Sequence, residues 1–220
     1  MASEFFNPDN KVMSILSRIG DIMLISICFT IASLPVFTLG ASASAGYRDM
    51  MKVVDESQTY TLKGFFTAFK ENFKKGTLLW LIFLAIGLIL TGDLYFSWQS
   101  SSGILNAAKY IFIILAAYYV MTIIYLFPIN ATFENTIKNT IKNSALMAIR
   151  HLPWTFLLMV IWTLPAILCI FIANLWVYLA LIMPVFGFGL QFFASAYIFN
   201  HIFRKFYIPK EEPPEDSPEI

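Results

Sequence analysis

From Leu152 to Phe203 the chain carries no Asp, Glu, Lys or Arg. From Ile22 to Tyr47 it carries none either, and between Gly76 and Ala108 the only one is Asp93. A helix on the surface of a soluble domain keeps a polar, charged face, and these runs contain too few residues to make one. Roughly 20 consecutive apolar residues cross the hydrocarbon of a bilayer. The chain is therefore expected to be an all-α integral membrane protein. Only 13% of its residues are charged, against about 25% in soluble domains. A net charge of +1 supplies no basic field for nucleic acid, and nucleic acid is not an expected partner.

At about 1.5 Å per helical residue, the run after His151 would overshoot any bilayer as a single helix. It must fold back, and Ala173-Asn174-Leu175 is the expected turn. Five spans follow, over about 20–40, 77–95, 110–129, 153–172 and 175–203, in one domain of residues 1–205. Residues 206–220 are Pro-rich and acidic and read as a disordered tail. Arg48, Lys52, Lys63, Lys70, Lys74 and Lys75 fall between the first two spans. Lys138, Lys142 and Arg150 fall between the third and fourth, and Arg204, Lys205 and Lys210 follow the fifth. Basic loops stay in the cytoplasm. The long loops and the C-terminus are thus expected on the cytoplasmic side of the membrane, and five passages put the N-terminus outside. A re-entrant first span, broken at Pro35, would return the N-terminus to the inside.

The two long loops are patterned. In "TLKGFFTAFKENFKKG" the rings of Phe65, Phe66, Phe69 and Phe73 share a helical face, with Lys63, Lys70 and Lys74 mostly around the rest. "TFENTIKNTIKNSALMAIRHLP" repeats the design with Phe133, Ile137, Ile141 and Ala145. Each reads as an amphipathic helix on the cytoplasmic side, facing lipid headgroups or a partner, or packing against the bundle. "PVFTLGASASAG" reads as a helix end at Pro35, a turn at Gly40 and a new helix packed through small residues, reaching the interface at Tyr47 and Arg48. Its opening Pro35–Gly40 is echoed by Pro184–Gly189. Broken helices at matching places in two halves are a carrier's pattern. Candidate substrate-site residues are therefore Pro35, Gly40, Pro184, Gly187, Gly189 and Gln191.

Catalytic signatures are absent: there is no HExxH, P-loop, GxSxG or GxGxxG. No metal or cofactor is expected. Cys28 and Cys169 lie inside apolar runs and read as packed thiols. His151 and His201 read as interfacial contacts. Ionisable groups inside a membrane are functional candidates by default; here these are Asp21 and Asp93, both placed near the outer ends of their spans. Asn130, Asn174, Gln191 and Asn200, with Trp80, Trp154, Trp162 and Trp176, could line a path for a sugar.

The phrase "PVFTLGAS", the pair Tyr47-Arg48, "FFTAFKENFKKGTLLWLI" and "FENTIKNTIKNSALMAIRHLPWTFLL" together resemble the YesL family of bacterial membrane proteins. The resemblance runs over about residues 10–205. It implies several spans and an association with carbohydrate uptake, since such proteins tend to be encoded beside sugar-import and polysaccharide-degradation systems. It brings no catalytic residues. The expected protein is a non-enzymatic accessory to carbohydrate uptake. Its expected partners are the lipid bilayer and either a carbohydrate ABC transporter permease or a second copy of the chain. Phe65, Phe69, Phe73, Lys70, Lys74 and Lys75 are the expected docking surface. A small carrier is the alternative; a membrane-embedded enzyme fits the sparse charge poorly.

Overall fold

The structure, a computed structural model, describes residues 11–55, 61–99, 103–172 and 174–207. These form α1 (Lys11–Ser33), a 3₁₀ turn (Val36–Thr38), α2 (Leu39–Val54), α3 (Thr61–Gln99) and α4 (Gly103–Thr132). There follow α5 (Ile137–Arg150), α6 (Leu152–Phe171), α7 (Leu175–Ile182), a π-helical segment (Met183–Gly187) and α8 (Phe188–Phe206). The described residues contain no strand, and the fold is the expected all-α bundle. Five stretches are long and apolar enough to cross a membrane: Met13–Ser33, Thr61–Gln99, Ala107–Thr132, Leu152–Phe171 and Leu175–Lys205. The expected reversal at Asn174 is present, with this residue at φ 63°, a left-handed conformation that asparagine tolerates. The tail from residue 208 onward lies outside the described residues.

Two helices differ from expectation. The turn after α1 occupies residues 34–38, where the Thr38 hydroxyl donates to the Ala32 and Pro35 carbonyls. Gly40 is not part of that turn. It stands in the first turn of α2, against α3, where an added Cβ would come 2.2 Å from the Gly76 carbonyl oxygen. From there α2 runs antiparallel to α3, Gly40 beside Gly76 and Asp49 beside Gly64. In lipid, helices gain little from burying Leu and associate through close backbone contact at small residues. Ala41, Ser42, Ala43, Ser44 and Ala45 are accordingly buried, and the two serines return their hydroxyls to the Thr38 and Gly40 carbonyls. Tyr47 turns into the bundle. Its ring is buried, edge-on to Phe192 and Phe199 at 4.8 and 5.6 Å.

This returning helix changes the parity of the chain. Asp21 on α1 accepts a hydrogen bond from the Thr61 hydroxyl at the start of α3. The end of α2 is tied to the end of α8, Arg204 to Asp55 at 2.9 Å and the Asn200 amide to the Met51 carbonyl at 3.1 Å. The early part of α1 therefore lies at the same end of the bundle as the basic segments, not opposite them. Asp21 is correspondingly at the basic end rather than the outer one. The count of five passages leaves out the small-residue helix read after Pro35, because a helix of Ala, Ser and Gly leaves no hydropathy peak; the arrangement is closer to the alternative of a first span broken at Pro35.

The second difference is continuity. The expected surface helix and the second span are one helix, α3, of 39 residues. At 1.5 Å per residue it is about 58 Å long, far beyond the roughly 30 Å of hydrocarbon. Its first four turns carry the lysines and pack on α2. Phe65 is fully buried and Phe69 packs against the core, so these two do not form a lipid or partner face. The exposed rings of that segment are Phe66 and Phe73. On α5, Ile137 and Ile141 pack inward while Leu146 and Ile149 are exposed.

The core lies between α1, α2, α4 and α8. Tyr125 is fully buried, its ring 5.3 Å from Phe199. Its hydroxyl donates to Thr155 Oγ1 at 3.0 Å, since the Thr155 hydroxyl is committed to the Ala148 and His151 carbonyls.

Candidate functional site

A polar cleft of about 590 Å³ opens at the basic end. Three elements build it: α2 supplies Arg48, the first half of α3 supplies Glu71, Asn72 and Lys75, and the end of α4 with its connection to α5 supplies residues 130–136. Thr136 closes the connection by capping α5, its hydroxyl oxygen accepting from the Asn139 amide. Arg48 is ion-paired to Glu71. With Lys75 opposite Glu134, the lining carries two formal charges of each sign, so its formal charge sums to zero.

A directed chain of hydrogen bonds forms the floor. Asn72 donates to the Ala68 carbonyl and Ser44 to the Gly40 carbonyl. Both side-chain oxygens are then acceptors, and Asn130 Nδ2 donates to each, at 2.9 Å to Ser44 and 3.1 Å to Asn72. That fixes the orientation of the Asn130 amide and leaves its Oδ1 buried with no donor among the described residues. An unsatisfied buried acceptor costs on the order of 1–3 kcal/mol. The cleft is chemically suited to a neutral, polar, hydrogen-bonding molecule.

Beneath α2 is a second polar feature. Asp49 is 0% exposed and points at Gly64, where a Cβ would stand 2.5 Å from Oδ1; only glycine leaves room for the carboxylate. The Phe65 backbone N–H faces it without closing a hydrogen bond. Burial pushes Asp49 up to about 6, and the charge of Asp21 adds to the shift, while Lys52, Arg48 and the Phe65 amide oppose it. At the junction of α5 and α6, His151 Nε2 lies 3.2 Å from the Tyr207 hydroxyl, and burial together with Arg150 holds its imidazole below the usual range.

The residues singled out from sequence are dispersed. Pro35, Gly40, Pro184, Gly187, Gly189 and Gln191 line neither this cleft nor the apolar cavity between α2, α3, α4 and α6. Pro184 lies in the π segment, whose Met183 and Pro184 carbonyls are taken by the Ser26 and Thr30 hydroxyls. The chain continues through Pro184 but reverses after Pro35, so the two echoed motifs have different geometry. Gly189 is pressed on the Ile22 carbonyl, 2.1 Å from an added Cβ. Gln191 donates to the Ile161 carbonyl and leaves its Oε1 without a donor among the described residues. Asp93 lies toward the far end of α3. Lys70 and Lys74 are exposed, whereas Lys75 turns into the cleft. Of the amides and tryptophans, Asn130 enters the cleft, Trp80 and Trp162 the apolar cavity, and Asn200 a helix-end tie, so they form no single path. Both cysteines are free thiols. Among the described residues no three His, Cys, Asp or Glu side chains are grouped to hold a metal ion. Sequence reasoning missed Asp49 and most of the cleft; their signals, a lone acid in a small-residue helix and a Glu-Asn pair in a basic one, gain meaning only when α2, α3 and α4 meet.

A family model described as "Protein of unknown function, DUF624" matches residues 22–94. That stretch contains the second half of α1, all of α2 and α3 through most of its length, hence the Gly40–Gly76 contact and two of the three walls of the cleft. No curated protein and no solved structure matches the chain.

Proposed function

We propose that this chain is a non-enzymatic, multi-pass protein of the bacterial plasma membrane that assists carbohydrate uptake, with its basic end in the cytoplasm. The observation that carries the reading is the cleft: a neutral lining of paired charges and convergent amides. Such a lining suits a polyhydroxylated solute better than an ion. The link to carbohydrate is supported by the resemblance in "PVFTLGAS" and "FFTAFKENFKKG". On α3, Phe66 and Phe73 are exposed beside Lys70 and Lys74, and on α5, Leu146 and Ile149 are exposed with Lys142 and Arg150, mixed apolar and basic faces fit to rest on headgroups or on a permease. The test is to tag the C-terminus, solubilise native membranes gently and identify what co-purifies. A stoichiometric sugar permease supports the accessory role. A lone chain or homo-oligomer that transports sugar in vesicles would replace it with the carrier reading.

A further inference from the structure

A second groove at the basic end shares Phe133 and Asn135 with the cleft but is walled by α5 and the end of α8. Its volume is about 320 Å³, and Asn143, Leu146, Arg150 and Tyr207 line it. Among the described residues its one charged wall is Arg150. Lys142 is exposed one helical turn before Leu146, on the same face, and adds a second positive charge at the rim. Neither cation is ion-paired to a described acidic side chain. The rings of Phe133 and Tyr207 give the groove an aromatic wall, and the half-buried amides of Asn135 and Asn143 offer donors and acceptors to a peptide backbone.

The chain itself leads out of this groove. Tyr207 is the last described residue, and its ring centroid lies 5.8 Å from the Arg150 guanidinium carbon. The sequence that follows, "IPKEEPPEDSPEI", carries five acids against one lysine, and four prolines. The spacings match. Lys142 precedes Arg150 by eight residues, about 12 Å along the axis of α5. Glu211 follows Tyr207 by four residues, about 12 Å in a Pro-rich extended segment that rises 3.1 Å per residue. Aromatic grooves are suited to such segments. Attachment at Tyr207 holds the acids at a local concentration on the order of millimolar.

We propose that the acidic segment 208–216 docks back onto this groove in extended form, its prolines on the aromatic wall and Glu211 and Glu212 facing Arg150 and Lys142. Docked, it closes this side of α5 to anionic headgroups. The inference is independent of what the cleft binds.

The test is a disulfide between Asn139→Cys and Pro213→Cys in the full chain, with Cys28 and Cys169 replaced by Ser. Asn139 is exposed, eleven residues before Arg150, and Pro213 is six past Tyr207, about 17 and 19 Å along the two paths. The crosslinking rate is read by mass spectrometry, in neutral detergent and in vesicles of equimolar phosphatidylcholine and phosphatidylglycerol. Rapid crosslinking is expected in both. Lys142→Glu with Arg150→Glu should slow it about tenfold, and adding Glu211→Lys with Glu212→Lys should restore it. A rate indifferent to the first reversal, or not restored by the second, would overturn the proposal. So would crosslinking in detergent that is lost in the vesicles, which would assign the groove to headgroup phosphates. If the reversed variant fails to fold by circular dichroism, the unreversed protein decides: its rate should fall severalfold between about 0.05 and about 0.5 M salt, and a salt-independent rate would overturn the proposal.

Discussion

Replacing Asp49 by Asn tests the buried carboxylate directly. In the folded protein Asp49 titrates at about 6, against 3.8 for an ordinary aspartate. The fold therefore binds this proton more tightly than the unfolded chain does. Below about pH 4 the group is protonated in both states and its stabilising contribution is complete. As pH rises through about 6 that contribution is lost, because the fold must then bury a charge or give up the contact with Gly64. A shift of roughly two units corresponds to about 3 kcal/mol, at 1.36 kcal/mol per unit. For a chain of this size that is roughly 6–12 °C in melting temperature. Asn has the shape of the neutral acid and does not titrate. Thermal unfolding in detergent, followed by tryptophan fluorescence from pH 4 to pH 8, is the assay. The wild type should lose stability as pH rises through this interval, while Asp49→Asn should lose much less, so that the variant is the more stable above pH 7. Arg48 and Lys52 on α2 and Asp21 on α1 share the field at Asp49, so the comparison is made at fixed ionic strength. Parallel pH profiles for the two proteins would refute the reasoning.

Two further outcomes follow from packing. Gly40→Val should abolish accumulation of folded protein or lower its melting temperature sharply, because the added atoms would meet the Gly76 backbone and the Trp80 Cβ; Gly92→Ala, with nothing within 4 Å, should be neutral in the same thermal assay. Phe65→Ala should cost on the order of 3–5 kcal/mol as a core truncation, whereas Phe66→Ala, at a ring that is 50% exposed, should stay within about 0.5 kcal/mol in denaturant titration.

The runs without charge made the spans legible, since nothing but a membrane tolerates 152–203 as written, and the turn at Asn174 follows from their length. What stayed hidden lay in residues whose role depends on a neighbour. Leu39–Val54 is too mixed to register as a span, yet its Gly, Ala and Ser side chains are what lets it return between α1 and α3. Lys63 to Lys75 look like the end of a loop helix, but no residue there breaks the helix, and α3 continues through them. The phenylalanine stripe is visible in the sequence, while the side of the helix that meets α2 is not; of the two readings it allows, packing against the bundle holds for Phe65. Asn130 could be noted as a polar residue near a span end. That its amide would be held by Ser44 and Asn72, from two other helices, could not be read from spacing.

The central claim is that α1 and α2 form a hairpin whose two ends lie beside the basic segments. Single cysteines at Ser14, Lys70 and Trp98, in a background with Cys28 and Cys169 replaced by Ser, measure it through labelling by a membrane-impermeant thiol reagent in intact and permeabilised cells. All three positions are exposed on their helices. Ser14 and Lys70 are expected to be protected together in intact cells and Trp98 to label readily. Labelling of Ser14 together with Trp98, while Lys70 stays protected, would contradict it.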